Sequence, residues 1–158
     1  MEVINCDYCH DKYLDIEEHK KSHQKLHKKW LKAEQELGYL PKGYEEQEKA
    51  KQGVYPIMYN KNSTFEEKLE AAMTLIRAHF DCSLILAIER NYWQKHPKFD
   101  EYVAMMDYMG VIPKVIWKYI CDKYGQKQGE IAPGFTNWHP LESEEREHQF
   151  CSFNLYQK

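Results

Sequence analysis

The sequence predicts a mainly α-helical protein: one long N-terminal helix beside a cluster of metal-ligating residue types, followed by a small helical bundle. Three observations carry this. Ile16, His19, His23, Leu26, Trp30, Ala33 and Leu37 recur at steps of three and four, a single stripe along one helix. Thr64 followed by Glu67 has the form of a capping box, and Phe65, Leu69, Met73, Ile76 and Phe80 continue it as an apolar stripe. Pro97 with Gly110, and Pro113 with Gly125, bracket two further helical stretches in the order that helix starts and stops favour.

The elements follow in order. The first helix ends at Gly38, and either Asp11 or Asp15 is placed to cap its start, Asp15 with Glu18 in capping-box register. Residues 38–62 hold Gly38, Pro41, Gly43, Gly53 and Pro56 among charged and tyrosine residues, which reads as a linker with at most a short helix at 44–52. Helix 64–80 comes next. A separate segment follows at Leu84 to Trp93, started by Asp81 or Ser83; Leu-Ile-Leu-Ala-Ile is also compatible with a buried strand, but Glu89 and Arg90 favour helix. Lys98 to Met109 and Lys114 to Tyr124 complete a four-helix unit with short loops. The organisation is thus 1–37, a linker at 38–62, a bundle at 63–125, and a tail at 126–158 with Phe135, Trp138, Phe150, Phe153 and Tyr156 around Glu142, Glu144, Glu145 and Glu147. That tail is expected to carry a helix after Pro140 and to pack on the bundle or on a partner, with a homodimer through its aromatics as one form of the latter.

Composition bounds the function. At 158 residues there is room for one domain, or a small module plus a helical one, and none for a large multidomain enzyme. A net charge of -3 excludes a chain that grips nucleic acid through total charge, so any such site is a local patch. Mean hydropathy of -0.81 and a longest apolar run of Leu84 to Ile88 argue against a transmembrane helix, and no membrane partner is expected. Five cysteines, an odd number, with Cys82, Cys121 and Cys151 scattered, suit a reducing compartment: cytoplasmic, or nuclear in a eukaryote. Arginine is confined to Arg77, Arg90 and Arg146 while lysine abounds, a bias associated with AT-rich genomes such as those of low-GC bacteria and their phages.

The strongest chemical signal is Cys6-x2-Cys9-x9-His19-x3-His23. A Cys-x-x-Cys knuckle facing two imidazoles one helical turn apart supplies the four tetrahedral ligands zinc prefers. His27 offers a competing set, Cys6, Cys9, His23 and His27, but lies about 80° from the centre of the stripe at ~100° per residue, so the reading leans to His19 and His23. Tyr13 comes four residues after Cys9 and Ile16 three before His19. With these residues in view, the stretch resembles a Cys2His2 zinc finger, and its nine-residue inner spacing is similar to that of the bacterial Ros/MucR family of DNA-binding regulators. The resemblance covers residues 6–23 and implies one structural Zn2+ ion, closed by four protein ligands and with no position for a catalytic water.

Lys20, Lys21, Lys25, Lys28, Lys29 and Lys32 fall within thirteen residues free of acid, and Lys21, Lys25, Lys28 and Lys32 share the face opposite the ligand stripe, where phosphates can be met. Against base reading, the helix start, which a Cys2His2 finger uses for that purpose, carries Asp15, Glu17 and Glu18 with Asp11 nearby. His79 with Cys82, and His139, His148 and Cys151, are weaker candidates for a second metal or a Cys-His pair. Glu66/Glu67 and Glu144/Glu145 read as solvated faces, and no phosphate-binding glycine loop or Gly-x-Ser-x-Gly elbow is present. The expectation is a non-enzymatic regulator or inhibitor that binds a protein partner, of the kind phages or mobile elements direct at nucleic-acid machinery. The alternative is a DNA- or RNA-binding regulator using the lysine face.

Overall fold

A computed structural model describes residues 1–125. The expectations for 126–158, including the aromatic tail, its helix and dimerisation through it, lie outside the described residues. The fold is mainly α, as expected, with one small sheet. Strand β1 (Val3–Asn5) pairs antiparallel with β2 (Lys12–Leu14), Ile4 opposite Tyr13, and helix α1 (Glu17–Leu37) follows. The hairpin was not expected: three-residue strands are too short to display a period of two. Neither aspartate caps α1. Ile16 holds the N-cap position without a side-chain bond, and Asp15 is ion-paired with Lys20 instead. Gly38 stops the helix as predicted, at φ 66°, with its N–H on Glu34 O.

The stretch read as a linker contains helix α2 (Tyr44–Tyr59), longer than the 44–52 allowed for it. Gly53 and Pro56 argue locally against a helix, but Gln47, Lys51, Val54 and Met58, at four- and three-residue steps, are buried, and α2 lies along the next helix as its most extensive partner. Tertiary packing overrides propensity here. Helix α3 (Phe65–Glu89) starts with the predicted capping box, Thr64 Oγ1 accepting from Glu67 N and Glu67 Oε2 from Thr64 N. It then runs straight through the expected break near Asp81. Those polar residues are buried inside α3 and satisfied across it: Asp81 accepts from Tyr39 O–H and Lys42 N–H, and Ser83 Oγ lies 3.0 Å from His96 Nε2. By length and composition α3 is apolar enough to cross a membrane (mean hydropathy 1.5), but 78% of that window is buried inside the protein, as befits a central core helix.

A 3-10 turn (Trp93–Lys95) leads into α4 (Phe99–Met105), which ends earlier than Met109, and then α5 (Lys114–Tyr124) occupies the predicted span. The core is one continuous cluster. It joins Trp30 and Ala33 of α1 to Met58 of α2, Leu75, Ile76, Ile85 and Ile88 of α3, and Ile112, Ile116 and Ile120 around α5. Phe80 meets His96, Phe99 and Tyr102 edge-on, and the Arg77 guanidinium sits 3.7 Å from the centre of the Phe99 ring.

Candidate metal centre

The hairpin carries Cys6 and Cys9 in the turn between its strands, closed by Cys6 N–H to Asp11 O and His10 N–H to Cys6 O, both 2.9 Å. That turn faces the second and third turns of α1. Cys6, Cys9, His23 and His27 come together, each offering one donor atom, with all four donors within 4.8 Å of one another. Cys6 Sγ is 3.5 Å from His27 Nδ1, and Cys9 Sγ is 3.6 Å from His23 Nδ1. Zinc bonds of about 2.3 Å to sulfur and 2.0–2.1 Å to nitrogen, held at the tetrahedral angle, separate S and N by about 3.6 Å. The donor set therefore has the chemistry of a four-coordinate zinc site, and its two cysteine–histidine pairs have the spacing.

Of the two sets weighed from the sequence, the described residues bring together the one with His27: it, and not His19, stands with Cys6, Cys9 and His23. The reason is a matter of lengths. From Leu14 back to Asp11, through β2 and one residue beyond it, the chain covers about 10 Å at 3.3 Å per residue. Along α1 at 1.5 Å per residue, that is level with His23, about 9 Å from Glu17, whereas His19 has risen only about 3 Å. His19 is left at the base of the hairpin, where its Nδ1 accepts from Leu14 N–H at 3.4 Å. The clustered group has the spacing Cys6-x2-Cys9-x13-His23-x3-His27, within the x12–15 and x3–5 range of Cys2His2 zinc sites. The Ros/MucR-like inner spacing depended on His19 as third ligand.

Aromatic rings hold the imidazoles. Tyr13 stacks on His23, centroids 4.3 Å apart and 14° from parallel, and Tyr8 packs on His27 at 4.9 Å while its hydroxyl donates to Glu34. Asp11 Oδ2 lies 3.2 Å from His23 Nδ1, so a carboxylate flanks the donors and its charge favours a cation there. Cys9 is buried, and burial pushes its thiol well above the ordinary range, with the neighbouring Cys6 adding to the effect. A bound cation reverses that preference by deprotonating a coordinating thiol.

Of the other expected residues, Lys21, Lys25, Lys28 and Lys32 are all exposed on one face of α1. The flanking lysines are engaged, Lys20 with Asp15 and Lys29 Nζ with Glu89 O at the end of α3. His79 and Cys82 are buried in α3, away from the Cys6 cluster. Sequence reasoning missed the pairing of Ser83 with His96, 13 positions apart, whose only trace is polarity within an apolar segment.

Fold and site together define a mainly α protein with an N-terminal ββα unit whose Cys2His2 group could hold a metal ion. Comparison with family models, with curated proteins and with solved structures finds no match to this chain.

Proposed function

We propose that this chain is a non-enzymatic zinc-binding protein, a small regulator or inhibitor that works by docking on a protein partner. Four protein donors within 4.8 Å of one another support zinc as a closed structural ion, which would leave no coordination position for a reacting water. The observation that carries the partner reading is an apolar, aromatic end of the bundle. Val115 and Tyr119, one turn apart on α5, are 67% and 43% exposed, and Phe65 at the start of α3 is 39% exposed with its ring edge-on to Tyr119 at 5.4 Å. Exposed apolar side chains that adjoin one another offer a partner the aromatic contact that interface cores favour.

The test is affinity capture from extracts of the source organism with the wild type and the double variant Val115→Asp, Tyr119→Asp. The reading predicts a discrete protein retained by the wild type and lost from the variant, with both folded by circular dichroism. Identical capture profiles would sink it.

A second reading keeps one observation of its own, the four exposed lysines of α1. If these met duplex phosphates, their replacement by glutamate would flatten the slope of log K against log salt by about 3–4. The acids at the start of α1, Glu17 and Glu18, both exposed, make base reading the less favoured use of that helix.

A further inference from the structure

We infer that His10 transmits metal occupancy of the finger to the helical bundle, so that the metal centre governs the docking of α2 as well as the finger's own fold. The inference rests on the metal reading above and goes beyond it. His10 follows Cys9 directly and has φ 60°, a left-handed conformation that L side chains adopt at a cost. The knuckle imposes it: His10 N–H is bound to Cys6 O at 2.9 Å inside the turn that brings Cys6 and Cys9 together. In that conformation the imidazole lies edge-on to Trp30 of α1, centroids 5.5 Å apart, and against Gly43.

Gly43 is the N-cap of α2, its carbonyl accepting the helix's first bond from Gln47 N–H at 2.9 Å. Its φ of -66° is ordinary for any residue, so glycine is not needed there for conformation. It is needed for room, because a Cβ would lie 2.6 Å from His10 Nδ1 and 2.7 Å from Cγ. Lys12 and Glu45, 2.8 Å apart, tie the hairpin to the same turn of α2. Cys9 belongs to the same buried cluster as Trp30, Val54 and Met58, so the finger and the bundle share one core. A metal ion that closes the Cys6–Cys9 turn therefore fixes the backbone at His10, and with it the slot that seats the start of α2. Withdrawing the metal releases the turn, and the α2 N-terminus opens against α3.

The experiment is amide hydrogen exchange on the full chain, loaded with zinc and stripped with a chelator, in the wild type, His10→Ala and Gly43→Ala, with zinc stoichiometry measured on each. For a region fully coupled to the ion, zinc at a hundredfold excess over its Kd suppresses opening by about a hundredfold. The wild type is expected to show that slowing at the amides of the first turns of α2. Each variant is expected to bind one zinc yet show a zinc effect on α2 below about threefold, since the ratio with and without metal cancels any loss of overall stability. A wild type that binds zinc one to one while α2 exchange is indifferent to it would overturn the inference and leave the metal reading standing. So would a His10→Ala variant that keeps the full hundredfold effect. A wild type that takes up no zinc would remove the metal reading itself, and this inference with it.

Discussion

His96 should make the protein acid-sensitive by a calculable amount. It is buried between α3 and α4, with Nδ1 2.9 Å from Pro97 O and Nε2 3.0 Å from Ser83 Oγ, an arrangement that suits a neutral ring donating through Nδ1–H and accepting through Nε2. Burial pushes its pKa down from 6.5 to about 4. In the unfolded chain the ring gains a proton as pH falls through 6.5, and the folded protein resists until about 4. The unfolded state thus binds more protons across this window, so stability is fully present above pH 6.5 and is lost progressively toward pH 4. At 1.36 kcal/mol per pH unit, the loss from this group comes to about 3 kcal/mol. Urea unfolding of the wild type and His96→Gln, at steps from pH 7 to 4, isolates it, because the other titrating groups cancel between the two. The stability advantage of the wild type should shrink by about 3 kcal/mol over that range; parallel curves would refute the assignment of a buried neutral His96.

Other expectations follow from single residues. The hydroxyl of Tyr102 is buried with no hydrogen-bond partner among the described residues, so Tyr102→Phe should leave stability unchanged or raise it by about 1 kcal/mol in a denaturant melt. Thr64→Ala removes one arm of the α3 capping box and should cost about 1 kcal/mol, read from the same melt. Trp30 is 1% exposed and joins the N-terminal ββα unit to the bundle core, so Trp30→Ala should cost about 3–5 kcal/mol. A cost under 1 kcal/mol at Trp30 would mean that α1 does not pack on α3 as described.

Where local signals agreed with packing, the sequence was legible. Thr64 and Glu67, Gly38, and the Pro113–Gly125 bracket each supply a cap or a stop that acts through near neighbours, and the end of α1, the start of α3 and all of α5 stand where these residues put them. Legibility failed where distant contacts decided the outcome. Asp81 and Ser83 look like helix starts until Tyr39 and His96, 42 and 13 positions away, are seen to satisfy them. Gly53 and Pro56 look like a linker until α2 is seen to bury Val54 and Met58. The candidate metal centre was half legible for a related reason. The Cys-x-x-Cys pair and His23 follow from residue type and helical period, but the choice between His19 and His27 depends on how far the hairpin reaches along α1, and two three-residue strands left no pattern from which to measure it.

The ligand set is the central claim, and zinc content of two single variants tests it most directly. Purified wild type, His19→Ala and His27→Ala are titrated against a competing chelator, with zinc per chain measured at each step. Replacing a ligand's outer partners alone weakens metal sites by about 10–100-fold, and loss of a ligand itself should exceed that. The account predicts one tightly held zinc in the wild type and in His19→Ala, where only the acceptor for Leu14 N–H is lost, and a zinc surrendered to the chelator in His27→Ala. The reverse pattern, with zinc retained by His27→Ala and lost from His19→Ala, would contradict it.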